Sequence, residues 1–131
     1  MATALTPVGS CAEWNAYQRW RSAFADVIDP RFYSLVWLDD QIWNGQARFW
    51  SSDTAAIVAT INEYPAGGKE VHGLIAAGDL DGIRGLISLA EQWGRRCGAI
   101  VGTIDSRAGW ARVMTQDGYA PYQWRLRKEL V

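Results

Sequence analysis

The stretch VHGLIAAGDLDGIRGLISLAEQWGRRCGAIVGTIDSRAGWARVMTQDGYAPYQWRLRKEL, residues 71–130, decides how this chain folds. Val71 to Ala77 is apolar and strand-like, and Gly78-Asp79-Leu80-Asp81-Gly82 breaks it while offering carboxylates to cap a helix. Ile83, Leu86, Ile87, Leu89, Ala90 and Trp93 then mark out a helix. Arg95 and Arg96 suit the negative end of the helix dipole, and Gly98 supplies the stop. Ala99 to Ile104 is a near-continuous apolar run, the pattern of a strand covered on both faces. Trp110, Val113 and Met114 mark the apolar side of a short helix ending in Asp117-Gly118-Tyr119. Beyond it Tyr122, Trp124 and Leu126 alternate with Gln123, Arg125 and Arg127, which predicts a last strand.

Upstream, residues 55–63 and 69–77 flank Tyr64-Pro65-Ala66-Gly67-Gly68, a strong turn signal, and are expected to pair as an antiparallel hairpin. Strict alternation would place Val71, Gly73 and Ile75 on one face of it, with His72 and Leu74 on the other. A strand from Ala47 through Trp50 precedes the hairpin. Two helices come first. Ser10-Cys11-Ala12-Glu13 fits a capping box, followed by a stripe of Trp14, Tyr17, Arg21, Phe24 and Ile28 that is apolar and aromatic except for the stem of Arg21. Asp29-Pro30 is read as closing that helix and opening the next, which carries Phe32, Leu35, Val36, Ile42 and Trp43 up to Asn44-Gly45.

The 131 residues, about half of them apolar, read as a single domain spanning 1–131 that needs no disulfide or metal staple. A formal net charge of −1 gives no long-range attraction to polyanions, and the short basic groups make no patch, so neither nucleic acid nor membrane is expected as a partner. Two cysteines far apart, no secretory leader pattern and no long apolar run fit a soluble, cytoplasmic protein. The single histidine, His72, rules out a metal site built on several imidazoles. Asp79-Leu80-Asp81-Gly82 resembles the start of a calcium loop, but Ile83, Gly85 and Ser88 stand where later oxygen ligands belong, so no metal is expected.

Leu86 to Val101 followed by Asp105 to Gly118-Tyr119 resembles the C-terminal half of GNAT N-acetyltransferases, in which a helix ending in basic residues and glycine feeds a buried strand, then a short helix with a Gly-aromatic ending. The resemblance implies an α/β (α+β) architecture: a mixed central β-sheet, two N-terminal helices, a long central helix and a short C-terminal helix. It also implies acetyl-CoA as cofactor. Yet the family's Q/R-x-x-G-x-G/A phosphate cradle, registered on Leu86-Ile87, puts Gly78 at the arginine position, Asp81 at the first glycine and Ile83 at the second small residue. Carboxylates at Asp79 and Asp81 would each repel a diphosphate by on the order of 1 kcal/mol at a surface-like dielectric. The tyrosine that serves many members as general acid falls on Met114, and the asparagine often seen at the start of the short helix falls near Arg107.

The reading is therefore a catalytically degenerate, GNAT-like pseudoenzyme that takes no cofactor and acts through protein–protein interaction, with another protein or its own copies as partner. Small degenerate domains of this kind resemble accessory and virion proteins of bacteriophages, which implies a virion component as one setting. Trp20 and Trp37, lying off the apolar stripes beside Arg19 and Arg31, are the interface candidates among eight tryptophans. The alternative is an atypical acetyl-CoA-dependent N-acetyltransferase. In that case Glu63, Glu70 and His72 on the hairpin are the base candidates, and Ala76, Ala77, Gly82 and Gly85 would contact the acyl-CoA.

Overall fold

A computed structural model describes residues 11–106 and 108–131. Helix α1 (Cys11–Ala25) and helix α2 (Leu35–Trp43) lead into strands β1 (Ala47–Ser51), β2 (Ala55–Glu63) and β3 (Lys69–Gly78). Helix α3 (Leu80–Arg96), strand β4 (Val101–Ile104), helix α4 (Ala108–Met114) and a 3-10 turn (Thr115–Asp117) complete the order. Among the described residues the strands form one sheet in the order β1-β2-β3-β4; the first two pairings are antiparallel and the last is parallel. This is the mixed α+β architecture expected from the pattern.

Each face of the sheet carries its own core. On one side α1 and α2 bring Tyr17, Phe24, Leu38 and Ile42 against Phe49, Ala56 and Val58. On the other, α3 sets Ile83, Leu86 and Ala90 against Ile57, Ala59 and Val71. The α1–α2 pair is tied by Asp39, which accepts the Tyr17 hydroxyl at 2.6 Å and a two-pronged contact from Arg21 at 2.9 Å. Burial alone would raise the Asp39 pKa, but those donors outweigh it and hold the carboxyl below its ordinary range.

Four local expectations are corrected. Helix α1 stops at Ala25, so Ile28 lies beyond it, and Asp29-Pro30 opens a turn rather than a helix. Asp29 accepts the Arg31 backbone amide and guanidinium, and α2 starts only after Ser34, whose side chain accepts from the Trp37 amide. The β3 alternation also fails past Gly73: Val58 pairs with Ile75 and Ala59 with Gly73, leaving Leu74 as a bulge. Val71 therefore faces α3, whereas Ile75 packs with the α1–α2 core. Finally, residues 120–131 contain no strand, so β4 lacks the neighbour its apolar run implied and Val101 is half exposed. Tyr119 donates to Glu91 of α3, while Glu129 meets Arg31 at 2.7 Å and Arg127 lies over Phe32. Ser10, half of the expected capping box, lies outside the described residues.

Candidate functional site

The sheet splits where the parallel pairing ends. Strands β3 and β4 pair from Glu70 with Val101 to Gly73 with Ile104, and beyond that point residues 75–78 keep β2 on one side but, among the described residues, no strand on the other. Gly73 lies at the fork, where a Cβ would stand 2.9 Å from Ile104 Cγ2 and force that side chain to shift. The gap opens into a cleft of about 430 Å³ whose walls include Ala76, Ala77, Ile83, Ile87, Trp110 and Tyr119. Glu91 and Asp105 are its carboxylates, and no lysine or arginine lines it among the described residues.

At the upper end of the cleft, Gly78 turns the chain with φ +107°; any side chain there would collide with the Thr54 carbonyl and Ala55. Asp79 follows as the N-cap of α3, its carboxylate accepting from the Gly82 amide at 2.7 Å. One of the first-turn amides at the positive end of this helix is thus taken up from within the chain. Asp81 projects into solvent 3.7 Å from Arg84, whose guanidinium is engaged by Asp117 at 2.8 Å.

Below the fork lies a polar network on the face opposite α3. Buried Glu70 accepts from Tyr64 at 2.8 Å, Asn62 at 3.1 Å and Thr103 at 2.9 Å. Desolvation pushes the Glu70 pKa up, but these donors together with His72 prevail and lower it. His72 Nδ1 stands 2.8 Å from Thr103 Oγ1, and its Nε2 is 3.8 Å from Asp105 Oδ2.

The arrangement of the chain as a whole is shared with solved acetyltransferases. A Trypanosoma brucei acetyltransferase superposes with a TM-score of 0.69 at 12% identity, over 90% of this chain and 95% of that one. The chain has the GNAT fold. A predicted acetyltransferase from Clostridium acetobutylicum, solved with acetyl-CoA, gives a TM-score of 0.69 at 9% identity over 89% and 92% of the two chains. A GCN5-related N-acetyltransferase from Ralstonia eutropha gives 0.65 at 17% identity over 90% and 93%. No protein-family model matches the chain, and no curated protein is detectably similar to it.

On this GNAT frame the candidate residues separate. Glu70 and His72 come together through Thr103, whereas Glu63 is exposed at the far end of β2, opposite Lys69. Ala76 and Ala77 line the cleft; Gly82 and Gly85 do not, and the Gly82 amide is already taken by Asp79. Met114 is fully buried, so the GNAT acid position is part of the core. Trp20 packs partly against the α1–α2 core, while Trp37 is exposed and lies 5.1 Å from the Tyr33 ring. Arg19 is exposed, and Arg31 is occupied by Asp29 and Glu129. Among the described residues no cluster of potential ligands could hold a metal ion, and no helix is long and apolar enough to cross a membrane. Thr103 was missed by sequence reasoning; its signal was the one hydroxyl within an otherwise apolar strand. Tested for fit, the cleft suits the slender, largely neutral arm of an acyl-CoA, but the capped and acidic start of α3 does not suit its diphosphate.

Proposed function

We propose that this GNAT-fold chain binds another protein, or its own copies, in place of acetyl-CoA. The observation that carries this reading is the Asp79 carboxylate seated on the Gly82 amide, where a diphosphate would need bare amides and positive charge. The aromatic docking surface is supported by the turn before α2 and by α2 itself. Phe32 is 61% exposed and Val36 65%, and Val27, Tyr33 and Trp37 add further exposed apolar area. A phage accessory or virion role belongs to the same reading by analogy of size and degeneracy. The test is a thermal-shift titration with acetyl-CoA. A ligand that binds only the native state stabilises it by about 2.7 kcal/mol at one hundred times its Kd, so the expected result is no shift at millimolar ligand. A saturating, concentration-dependent rise would remove the proposal.

A second reading, an atypical N-acetyltransferase, is favoured by one specific observation: Glu70 and His72 converge at the fork beside an open cleft. In that reading Glu91 and Asp105 would draw a cationic amine into the cleft. Acetylation of a panel of small amines by the purified chain separates the two readings.

A further inference from the structure

We infer that Thr103 fixes the only histidine of the chain as its Nδ1–H tautomer, leaving Nε2 as a bare proton acceptor at the fork. The argument runs through one hydroxyl proton. Glu70 already draws donors from Tyr64 and Asn62, and its lowered pKa keeps it a carboxylate, able only to accept. Thr103 Oγ1, 2.9 Å from Glu70 Oε2, must therefore spend its single proton there. The same oxygen, 2.8 Å from His72 Nδ1, can only accept from that nitrogen, so Nδ1 carries the hydrogen.

Nε2 then presents its lone pair on the side of Asp105, whose carboxylate lines the cleft. When the N–H or O–H bond of a bound ligand breaks, its electron pair stays on the ligand and the proton passes to Nε2. The resulting imidazolium stands 3.8 Å from Asp105 on one side and 3.8 Å from Glu70 on the other. Thr60 is the cross-strand neighbour of His72 on β2 and adds no charge. Thr103 is in these terms a positioning residue. Its effect on the tautomer rests on geometry alone, and the use of Nε2 as a base rests on the acetyltransferase reading.

Because the chain has one histidine, nitrogen NMR of the labelled full-length protein shows a single pair of ring signals. At a pH where the ring is neutral, the expected result is a protonated Nδ1 and an unprotonated Nε2. Thr103→Val should move the proton to Nε2, and Thr103→Ser should restore the wild-type pattern. A wild-type ring protonated on Nε2, or a Thr103→Val ring unchanged from wild type, would overturn the assignment. If the second reading holds and the chain acetylates amines, Thr103→Val should lower kcat at least tenfold with little change in KM, and Thr103→Ser should recover it. Unchanged turnover with a switched tautomer would overturn that role. So would the absence of acetyl-CoA binding, which removes the acetyltransferase reading while leaving the tautomer assignment standing.

Discussion

Gly94 of α3 sits directly over Val71 of β3, so close that a Cβ on Gly94 would stand 2.7 Å from Val71 Cβ and Cγ1. The helix can lie this low on the sheet only because the position has no side chain, and its height fixes one wall of the cleft.

Gly94→Ala should destabilise the fold by about 1–3 kcal/mol through overpacking, despite the better helix propensity of alanine. Val71→Ala alone should also destabilise, by removing buried methyl groups. Combined, the two changes should cost less than the sum of the single ones, which denaturant unfolding of all four proteins in a double-mutant cycle would reveal.

Asp79→Ala should cost about 0.5–2 kcal/mol by uncapping α3. Asp79→Asn keeps an oxygen acceptor but removes the charge, so its melting temperature should stay close to wild type. If the carboxylate is what repels a diphosphate, Asp79→Asn should bind acetyl-CoA measurably better than wild type in isothermal titration. Equal, undetectable binding by both would mean that Asp81 and the lost glycines suffice to exclude it.

Acid should weaken the protein through Asp39 and Glu70. Both carboxyls have lowered pKa values when folded, so in the acid range the unfolded chain holds more protons than the native one. Their contribution is complete above the unfolded values, about 3.9 for Asp and 4.3 for Glu. It is lost as pH falls through the lower folded values. Asp39→Asn should flatten this slope, and Asp39→Ala should cost a further 1–3 kcal/mol because the buried Tyr17 hydroxyl loses its acceptor. Urea midpoints between pH 2.5 and 7, a range chosen to bracket roughly both values, would read both effects.

Val36→Ser and Phe32→Ser should leave stability within about 0.5 kcal/mol of wild type, since both side chains are mostly exposed. Together they should reduce any concentration-dependent self-association seen by sedimentation velocity. Association that persists unchanged in the double variant would place the contact elsewhere.

Helix α3 and the β2–β3 hairpin were legible because their signals are local: an apolar stripe at helical spacing, and a Pro-Gly-rich turn between two apolar runs. The Asp79 cap was legible for the same reason. What escaped depends on partners far away in sequence. The start of α2 moved because Asp29 binds Arg31 and Ser34 takes over as cap. Asp39 gave no sign of joining Tyr17 and Arg21, 22 and 18 residues distant. Thr103 gains its role only because parallel pairing sets it beside His72. The alternation of Tyr122, Trp124 and Leu126 is genuine strand patterning, but periodicity does not specify a neighbour to pair with, and residues 120–131 run free of the sheet.

Leu74 is one residue more than the opposing strand requires, and it directly follows Gly73, the last residue of β3 that pairs with β4. Deleting it would restore unbroken alternation and leave Ile75 and Ala77 on the α1–α2 side and Ala76 on the α3 side, where they are now, whereas a regular strand that kept Leu74 in register would exchange them. Which side chains the second half of β3 sends to each interior therefore depends on a single leucine held out of register, at the place where the cleft begins.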